Sequence, residues 1–210
     1  MNNTYRIGKS FFAFVFRVLF RRKVLGRENF PKGAAIIASN HASFLDPPVV
    51  GSAAPGELHY LARESLFRFP LMKRLYGRIN VLPVRQDAAN MSSIKTILGK
   101  LDEGGKVLIF PEGTRSSDGE LQKAKRGIGY LICKARVPVI PTYTHGTYEA
   151  WPRHRSMIHF TKMIVSFGKP IYFDDVWSGK PSKEDYDRIA RKIMDRIVEL
   201  RAEVLEKYGK

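Results

Sequence analysis

Short runs of β-forming residues alternate with helical stretches along most of this 210-residue chain. Strands that alternate with helices typically join as crossover units of one sheet, so the pattern predicts an α/β fold, with a central mixed sheet flanked by helices. The predicted strands are 36–38, 59–62, 79–84, 107–110, 139–143 and 163–167. The predicted helices between them are 47–54, 65–76 with a break at Pro70, 89–103 and 126–135.

The last part of the chain predicts a long amphipathic helix that packs on the core. Ser182 and Asp185 have the spacing of a capping box. Apolar side chains then recur at intervals of three and four residues: Tyr186, Ile189, Ile193, Ile197, Leu200 and Val204. No internal repeat or linker divides the body, so we expect one α/β domain over residues 26–210, which ends in this helix.

Residues 1–25 contain an apolar run that is too short to cross a bilayer. Nine of the ten residues in 11–20 are apolar and five are Phe. As a helix the run would be about 15 Å long, against about 30 Å of hydrocarbon. Arg21, Arg22 and Lys23 follow it, and no small-residue cleavage site does, so a signal peptide is not expected. The arrangement favours a helix lying in a membrane interface, and the alternative is a helix of the core.

The net charge of +16 predicts an anionic partner. Nucleic acid, an anionic membrane surface and a phosphorylated substrate would each satisfy it. Nucleic acid is disfavoured, because the sequence holds no recognised binding motif and its aromatic residues are concentrated in 11–20 instead of alternating with Lys and Arg. The single cysteine, Cys133, excludes an internal disulfide and suits a reducing compartment.

A histidine and an aspartate follow the first predicted strand with a spacing of five. On a helix His41 and Asp46 would be about 140° apart, and on a strand they would face opposite sides, so they meet only if the chain turns. Pro47 favours such a turn, with Asp46 as the N-cap of the next helix. Asp46 could then bind one ring nitrogen of His41 and leave the other free to accept a proton.

This pattern is half of a catalytic triad, and the nucleophile is missing from it. No Gly-x-Ser-x-Gly elbow surrounds Ser43 or Ser116, so a serine hydrolase is not expected. The base would therefore act on a hydroxyl group of the substrate. The remaining histidines have no partners at metal-ligand spacing, and we expect no metal site.

A second polar segment follows the strand predicted at 107–110. Gly113 permits close approach of the backbone, and Arg115 offers a planar fork suited to phosphate. Glu112 could accept a hydrogen bond from a substrate hydroxyl or orient Arg115. The strand at 79–84 delivers another arginine, Arg85, and an apolar, proline-containing segment lies at 137–141.

Four blocks of this sequence resemble the 1-acyl-glycerol-3-phosphate acyltransferase (lysophosphatidic acid acyltransferase) family of glycerolipid synthesis. They are NHASFLD at 40–46, GRINVLPVR at 77–85, FPEGTRS at 110–116 and VPVIP at 137–141, in the family's order. The likeness covers roughly residues 26–170. The second block lacks the aromatic and acidic residues that members often have, and one apolar helix stands where relatives have a two-helix membrane motif.

The resemblance implies a role for each matching residue. His41 would be the general base and Asp46 would orient it. The glycerol phosphate would be held by Arg85, Glu112, Gly113, Thr114, Arg115 and Lys125. The acyl channel would be lined by Val139, Ile140 and Pro141.

The same resemblance implies a reaction and a location. A fatty acyl group would pass from a thioester donor, acyl-coenzyme A or an acyl carrier protein, directly to the free hydroxyl of 1-acyl-glycerol-3-phosphate. Neither a metal nor an organic cofactor would be needed. The expected partners are a membrane lipid substrate, an anionic membrane surface and an acyl carrier protein, and the expected location is the cytoplasmic face of a membrane, peripheral or monotopic.

Two alternatives remain open from the sequence. The acceptor could be another lysolipid, such as a lyso-ornithine lipid or another lysophospholipid, or the chain could be a non-catalytic membrane-binding relative. Arg85, Arg115 and Glu112 favour a phosphate monoester, and the presence of both His41 and Asp46 argues against loss of catalysis.

Overall fold

The computed structural model describes residues 3–68, 70–84 and 91–209. The helices are α1 (Asn3–Val18), α2 (Asp46–Ala53), α3 (Pro70–Arg78), α4 (Met91–Asp102), α5 (Arg126–Ala135), α6 (Thr147–Ala150), α7 (Asp174–Trp177) and α8 (Lys183–Tyr208). The strands are β1 (Lys23–Leu25), β2 (Ala35–Ser39), β3 (Tyr60–Arg63), β4 (Val81–Val84), β5 (Lys106–Ile109), β6 (Val139–His145) and β7 (Ile164–Phe167).

Five strands form the central sheet in the order β1-β7-β6-β2-β5. β2 pairs in parallel with both β5 and β6, whereas β7 runs antiparallel to β6 and parallel to β1. The parallel pair β3 and β4 forms a second small sheet, which a bridge from His59 to Val107 links to β5. The α/β fold with a mixed, helix-flanked sheet is confirmed.

β2 is buried on both faces, as expected for a central parallel strand. Ile36 and Ala38 belong to a cluster with α4, α5 and α8. Ala35 and Ile37 belong to a second cluster on the opposite face, with α2 and Phe16 of α1. β2 is therefore packed against apolar side chains on both faces of the sheet.

The parallel strands β5, β2 and β6 end at the same edge of the sheet. Chain segments that leave the carboxyl ends of parallel strands meet there, which is where open α/β sheets bind ligands. The segment after β2 begins at Asn40, and the segment after β5 begins at Phe110. The edge therefore brings the first and third sequence blocks together.

α8 begins at the predicted capping box. Ser182 Oγ accepts a hydrogen bond from the Asp185 N–H at 3.2 Å, and the Asp185 carboxylate accepts one from the Ser182 N–H at 2.9 Å. The predicted apolar stripe is buried from Ile189 to Val204. α5 crosses α8 closely at Gly129, where an added Cβ would lie 2.1 Å from the carbonyl oxygen of Tyr186.

α1 begins eight residues before the apolar run. Some of its apolar side chains are buried in the core and others are exposed on the surface. Tyr5 and Phe16 are buried, and Phe20, just beyond the helix, is buried as well. The exposed apolar side chains of α1 are those of Ile7, Phe11, Phe12, Phe14 and Val18. Within the described ranges, no helix is both long and apolar enough to cross a bilayer. The division into residues 1–25 and 26–210 stays a prediction.

Candidate active site

His41 and Asp46 meet at the carboxyl end of β2. His41 Nδ1 lies 2.8 Å from Oδ2 of Asp46, whose side chain is fully buried. The same oxygen accepts hydrogen bonds from the N–H groups of Ala42 and Ser43, each at 2.7 Å. Asp46 is therefore not the N-cap of α2 as predicted. It is the first residue of α2, and Leu45 occupies the cap position. The Asp46 carboxylate binds N–H groups of the loop before the helix, so it does not cap the N–H groups of the first helical turn.

The hydrogen bond to Asp46 sets the tautomer of His41. A carboxylate only accepts hydrogen bonds, so Nδ1 of the imidazole carries the proton and Nε2 has a free lone pair. No residue in the described part of the chain forms a hydrogen bond with Nε2, and the His41 side chain stays 17% exposed. The pair can therefore accept a proton from a bound hydroxyl group.

Residues 110–116 hold His41 from the other side. The ring of Phe110 stacks on the imidazole, with centroids 3.8 Å apart and an interplanar angle of 13°. The His41 N–H donates to Glu112 Oε1 at 3.1 Å, and the His41 carbonyl accepts from the Ser116 N–H at 2.7 Å. The structure thus joins two of the sequence blocks through both backbone and side chain.

A buried polar pair ties the end of β6 to this site. Asn40 Oδ1 accepts from the Thr144 N–H at 2.7 Å, and Asn40 Nδ2 donates to the Thr144 carbonyl at 3.1 Å. The Thr144 hydroxyl lies 3.4 Å from Oδ1 of Asp46. Neither residue was predicted to have a role in the site. Thr144 is far from the motif along the chain and no local pattern marks it.

Glu112 is buried beside the pair, with 1% of its surface exposed. Burial is the main cause that raises the pKa of its carboxyl group to about 7; the backbone N–H groups of His41 and Gln122 oppose the shift, and the charge of Asp46 adds to it. Its Oε2 atom has no hydrogen-bond partner among the described residues. Near neutral pH the group can therefore either accept or donate a hydrogen bond.

Arg115 lies in the same loop, and one of its guanidinium nitrogens has no hydrogen-bond partner in the described ranges. Its guanidinium carbon lies 3.6 Å from the centroid of the Phe44 ring, and its Nη1 is buried with no partner in the described ranges. Desolvation lowers the pKa of Arg115, and the charges of Arg153 and Arg63 lower it further. Arg63 and Arg153 were not predicted, because neither lies in one of the four sequence blocks.

Gly113 and Thr114 precede Arg115 in the same loop, and the side chain of Lys125 lies against Gly113. Gly113 has a φ of +70°, and a Cβ there would lie 3.2 Å from Cγ of Lys125. The Lys125 N–H donates to the Pro111 carbonyl at 2.8 Å. Thr114 and Lys125 are exposed. The other predicted phosphate ligand, Arg85, lies outside the described residues.

The residues predicted to line the acyl channel are in the interior of β6. Val139 belongs to the cluster under α5 and α8, Ile140 belongs to the cluster under α2, and Pro141 is buried between them in the strand. The structure does not bring them against His41, and Thr144 is the part of β6 that reaches the site. Their role in acyl binding stays a prediction.

Comparison with known proteins identifies the chain at two levels. A family model described as Acyltransferase matches residues 21–145, so the chain belongs to the acyltransferase family. Within this family it is of the 1-acyl-sn-glycerol-3-phosphate acyltransferase type, as the four sequence blocks indicated. It is 30% identical over 180 residues to the 1-acyl-sn-glycerol-3-phosphate acyltransferase of Bacillus subtilis (strain 168), covering 85% of this chain and 87% of that protein.

Two further relatives agree. The 1-acyl-sn-glycerol-3-phosphate acyltransferase of Limnanthes douglasii is 33% identical over 156 residues, and the match covers 73% of this chain and 55% of the plant protein. The crystal structure of the 1-acyl-sn-glycerophosphate (LPA) acyltransferase PlsC from Thermotoga maritima superposes with a TM-score of 0.74 at 26% identity. That match covers 95% of this chain and 78% of the Thermotoga chain.

Proposed function

We propose that this acyltransferase transfers a fatty acyl group from a thioester to the free hydroxyl of 1-acyl-glycerol-3-phosphate and so makes phosphatidic acid. The observation that carries the proposal is the bond from His41 Nδ1 to the buried carboxylate of Asp46, which leaves Nε2 free at the edge of the sheet. The names of the relatives support the acceptor.

In the proposed step His41 is the general base. Its Nε2 takes the proton of the acceptor hydroxyl while the hydroxyl oxygen attacks the thioester carbonyl carbon. A C–O bond forms, the C–S bond breaks, and the leaving thiolate takes the proton back from the imidazolium. The Asp46 carboxylate stabilises the imidazolium and keeps the ring in place.

The surroundings of the two nearby serines support direct transfer without an acyl-enzyme. The Ser43 hydroxyl donates to the Trp151 carbonyl at 2.7 Å, and the Ser116 hydroxyl donates to Asp118 at 2.8 Å. Both serines are buried, and each is already committed to another group. Neither has the hydrogen bond to His41 that would activate a nucleophile.

We assign the phosphate of the acceptor to the basic side of the 110–116 loop. The half-buried side chain of Arg115 and the exposed side chain of Lys125 would bind its oxygens, at the left-handed turn of Gly113 and beside Thr114. Arg63 and Arg153 add positive charge near Arg115. Glu112, close to neutral in pKa, would accept from or donate to the glycerol hydroxyl.

We also propose that the protein works on the cytoplasmic face of an anionic membrane, as a peripheral or monotopic protein. The exposed apolar side chains of α1 and the net charge of +16 support this location. The reaction as proposed uses no metal or organic cofactor. The donor is acyl-coenzyme A or an acyl carrier protein, and the basic surface suits both.

The test is the release of donor thiol by purified protein on liposomes that contain lysophosphatidic acid. Acyl-coenzyme A and acyl carrier protein are offered in parallel, with His41→Ala as the inactive variant and His159→Ala, an exposed histidine, as the matched control. We expect release that depends on lysophosphatidic acid, falls on the order of 10²–10⁴-fold in His41→Ala, and is unchanged in His159→Ala. The faster donor identifies the natural class.

Two results would overturn the proposal. Equal turnover of a lysolipid without a phosphate monoester would refute the acceptor. Undiminished release by a folded His41→Ala protein would refute the base.

A further inference from the structure

A cavity of about 520 Å³ lies between α1 and the C-terminal end of α2, away from the catalytic edge. Its volume is in the usual range for a ligand site, about 300–1,000 Å³. Five cationic side chains line it: Arg6, Lys9, Arg17, Arg22 and Arg27. No carboxylate is among its described lining residues. Asp46 lies at the other end of α2, and eight residues of helix span about 12 Å, so this is a separate place on the molecule.

Two of the cations are fixed by hydrogen bonds. Lys9 Nζ donates to the carbonyl oxygens of Ala54 and Gly56, which follow the end of α2. Arg22 Nη1 donates to the Val49 carbonyl at 3.1 Å and also to a serine hydroxyl of the same helix. These bonds hold both side chains in position before any ligand arrives.

The cavity keeps donor capacity and positive charge that the described chain does not use. Arg22 Nε is buried without a hydrogen-bond partner there, although buried donors are nearly always paired. Glu57 is the carboxylate whose charge acts on Lys9, and the cavity sets five cations against it.

The crowding of charge is visible in the ionisation of the two fixed cations. The pKa of Lys9 is lowered to about 8 and that of Arg22 to about 10, mainly by burial and also by the charge of Arg27, while the charge of Glu57 opposes the shift of Lys9. Bound negative charge would relieve this repulsion.

The apolar face of α1 indicates which anion fits. Ile7, Phe11, Phe14 and Val18 form an exposed stripe with helical spacing. It borders the stripe that carries Arg6 and Arg17, so apolar and cationic surfaces lie side by side on one helix. A lipid monolayer offers acyl chains and phosphates at adjacent depths, whereas nucleic acids and acidic proteins leave such an apolar stripe without a partner.

We propose that this cavity binds the phosphate of an anionic glycerophospholipid headgroup, as a second anion site that is distinct from the acceptor site. Arg17 and Arg27 contact the phosphate oxygens, the fixed side chains of Lys9 and Arg22 add positive charge behind them, and the apolar stripe of α1 lies among the acyl chains. Occupancy of the site depends on the lipid composition of the surface and not on turnover.

The experiment measures sedimentation of the full chain with vesicles in the absence of an acyl donor. The vesicles are phosphatidylcholine alone or phosphatidylcholine with a minority of phosphatidylglycerol. Arg17→Gln/Arg27→Gln is compared with Lys180→Gln/Arg191→Gln, which removes the same charge from exposed positions in and before α8. We expect the cavity variant to lose on the order of tenfold or more in affinity for anionic vesicles, and the control variant to bind like the wild type.

A second arm separates a lipid headgroup from free phosphate. Inorganic phosphate at constant ionic strength should reduce vesicle binding by the wild-type protein, but not the residual binding by the cavity variant.

Equal losses of vesicle affinity in the cavity variant and the control variant would mean that diffuse electrostatic attraction explains the binding, and would overturn the site. If phosphate stabilises the wild-type protein against heat and the cavity variant still binds vesicles like the wild type, the site would be assigned to a soluble anion and the lipid proposal would be overturned. Because no turnover is measured, none of these results depends on the proposed reaction.

Discussion

The imidazole of His41 lies parallel to the ring of Phe110, with centroids 3.8 Å apart. One face of the ring is thereby covered, one ring nitrogen is bound by Asp46, and Nε2 is left for the substrate. The orientation of the base thus depends on one aromatic contact and one hydrogen bond, which can be changed separately.

Replacing Asp46 by Asn should abolish most activity and leave the fold intact. The three donors share Oδ2, so an amide oxygen in its place can still accept from the N–H groups of Ala42 and Ser43 and from His41 Nδ1, but a neutral amide no longer stabilises the imidazolium that forms when His41 takes the proton. We expect kcat to fall on the order of 10²–10⁴-fold, the usual contribution of general-base catalysis.

Asp46→Ala should in addition lose about 1–3 kcal/mol of unfolding free energy, because two buried N–H groups lose their acceptor. Thiol release and urea unfolding of both variants check the two effects. Wild-type kcat in Asp46→Asn would mean that the base does not need the negative charge of Asp46.

Arg115→Lys should raise the KM for the lysolipid more than it lowers kcat. Lysine keeps the charge but has no planar fork for a phosphate and stacks less well on Phe44. A rise of KM of about tenfold corresponds to one lost charge-assisted hydrogen bond of roughly 1.4 kcal/mol. Arg191→Lys, at an exposed position of α8, is the matched control and should keep the wild-type KM. Steady-state kinetics with lysophosphatidic acid as the varied substrate separate the two constants.

Glu112 should make the protein less stable as the pH rises. Its pKa is about 7 in the folded protein, against a usual value of 4.5, so the folded state binds more protons between these limits. Stability from this group is fully present below about pH 4.5 and is lost as the pH rises through 7. Glu112→Gln removes the dependence, so the variant should be more stable than the wild type by about 1–3 kcal/mol at pH 8 and little different at pH 4.5.

Urea unfolding at the two pH values measures this difference. Glu206→Gln, an exposed carboxylate of α8, should change stability equally little at both. A Glu112→Gln protein that tracks the wild type across the range would contradict the raised pKa.

Replacing two glycines of α5 by alanine should change the free energy of unfolding in opposite directions. At Gly129 a Cβ would overlap the Tyr186 carbonyl, so Gly129→Ala should separate α5 from α8 and cost about 1–3 kcal/mol. At Gly127 an added Cβ would meet nothing within 4 Å, so Gly127→Ala should stabilise by up to about 1 kcal/mol. Urea midpoints of the two single variants provide the comparison. Two shifts of the same sign would contradict the packing of α5 on α8.

The sequence predicted those features whose signals are local. α5 was predicted with its observed bounds, and the capping box of α8 was predicted because its spacing is set by one helical turn. β1 was not predicted, because a three-residue strand has no readable periodicity and is defined by its pairing with β7.

The candidate site divides in the same way. The meeting of His41 with Asp46 was predicted from the turn between them. The N-cap role of Asp46 was wrong, because three donors of its own loop compete for the carboxylate. The contact of Thr144 with Asp46 joins two strands of the sheet, and only the folded register shows it.

β1 also decides how the N-terminal helix is joined to the body. Hydrogen bonds from Met163 N–H to the Phe20 carbonyl and from Lys23 N–H to the Met163 carbonyl continue directly into the pairing of β1 with β7. The segment that follows α1 is therefore bound to the edge of the sheet and does not leave α1 on a free linker. A bilayer that takes up the apolar stripe of α1 would set the tilt of every strand, and with it the height of His41 above the plane of the lipid phosphates.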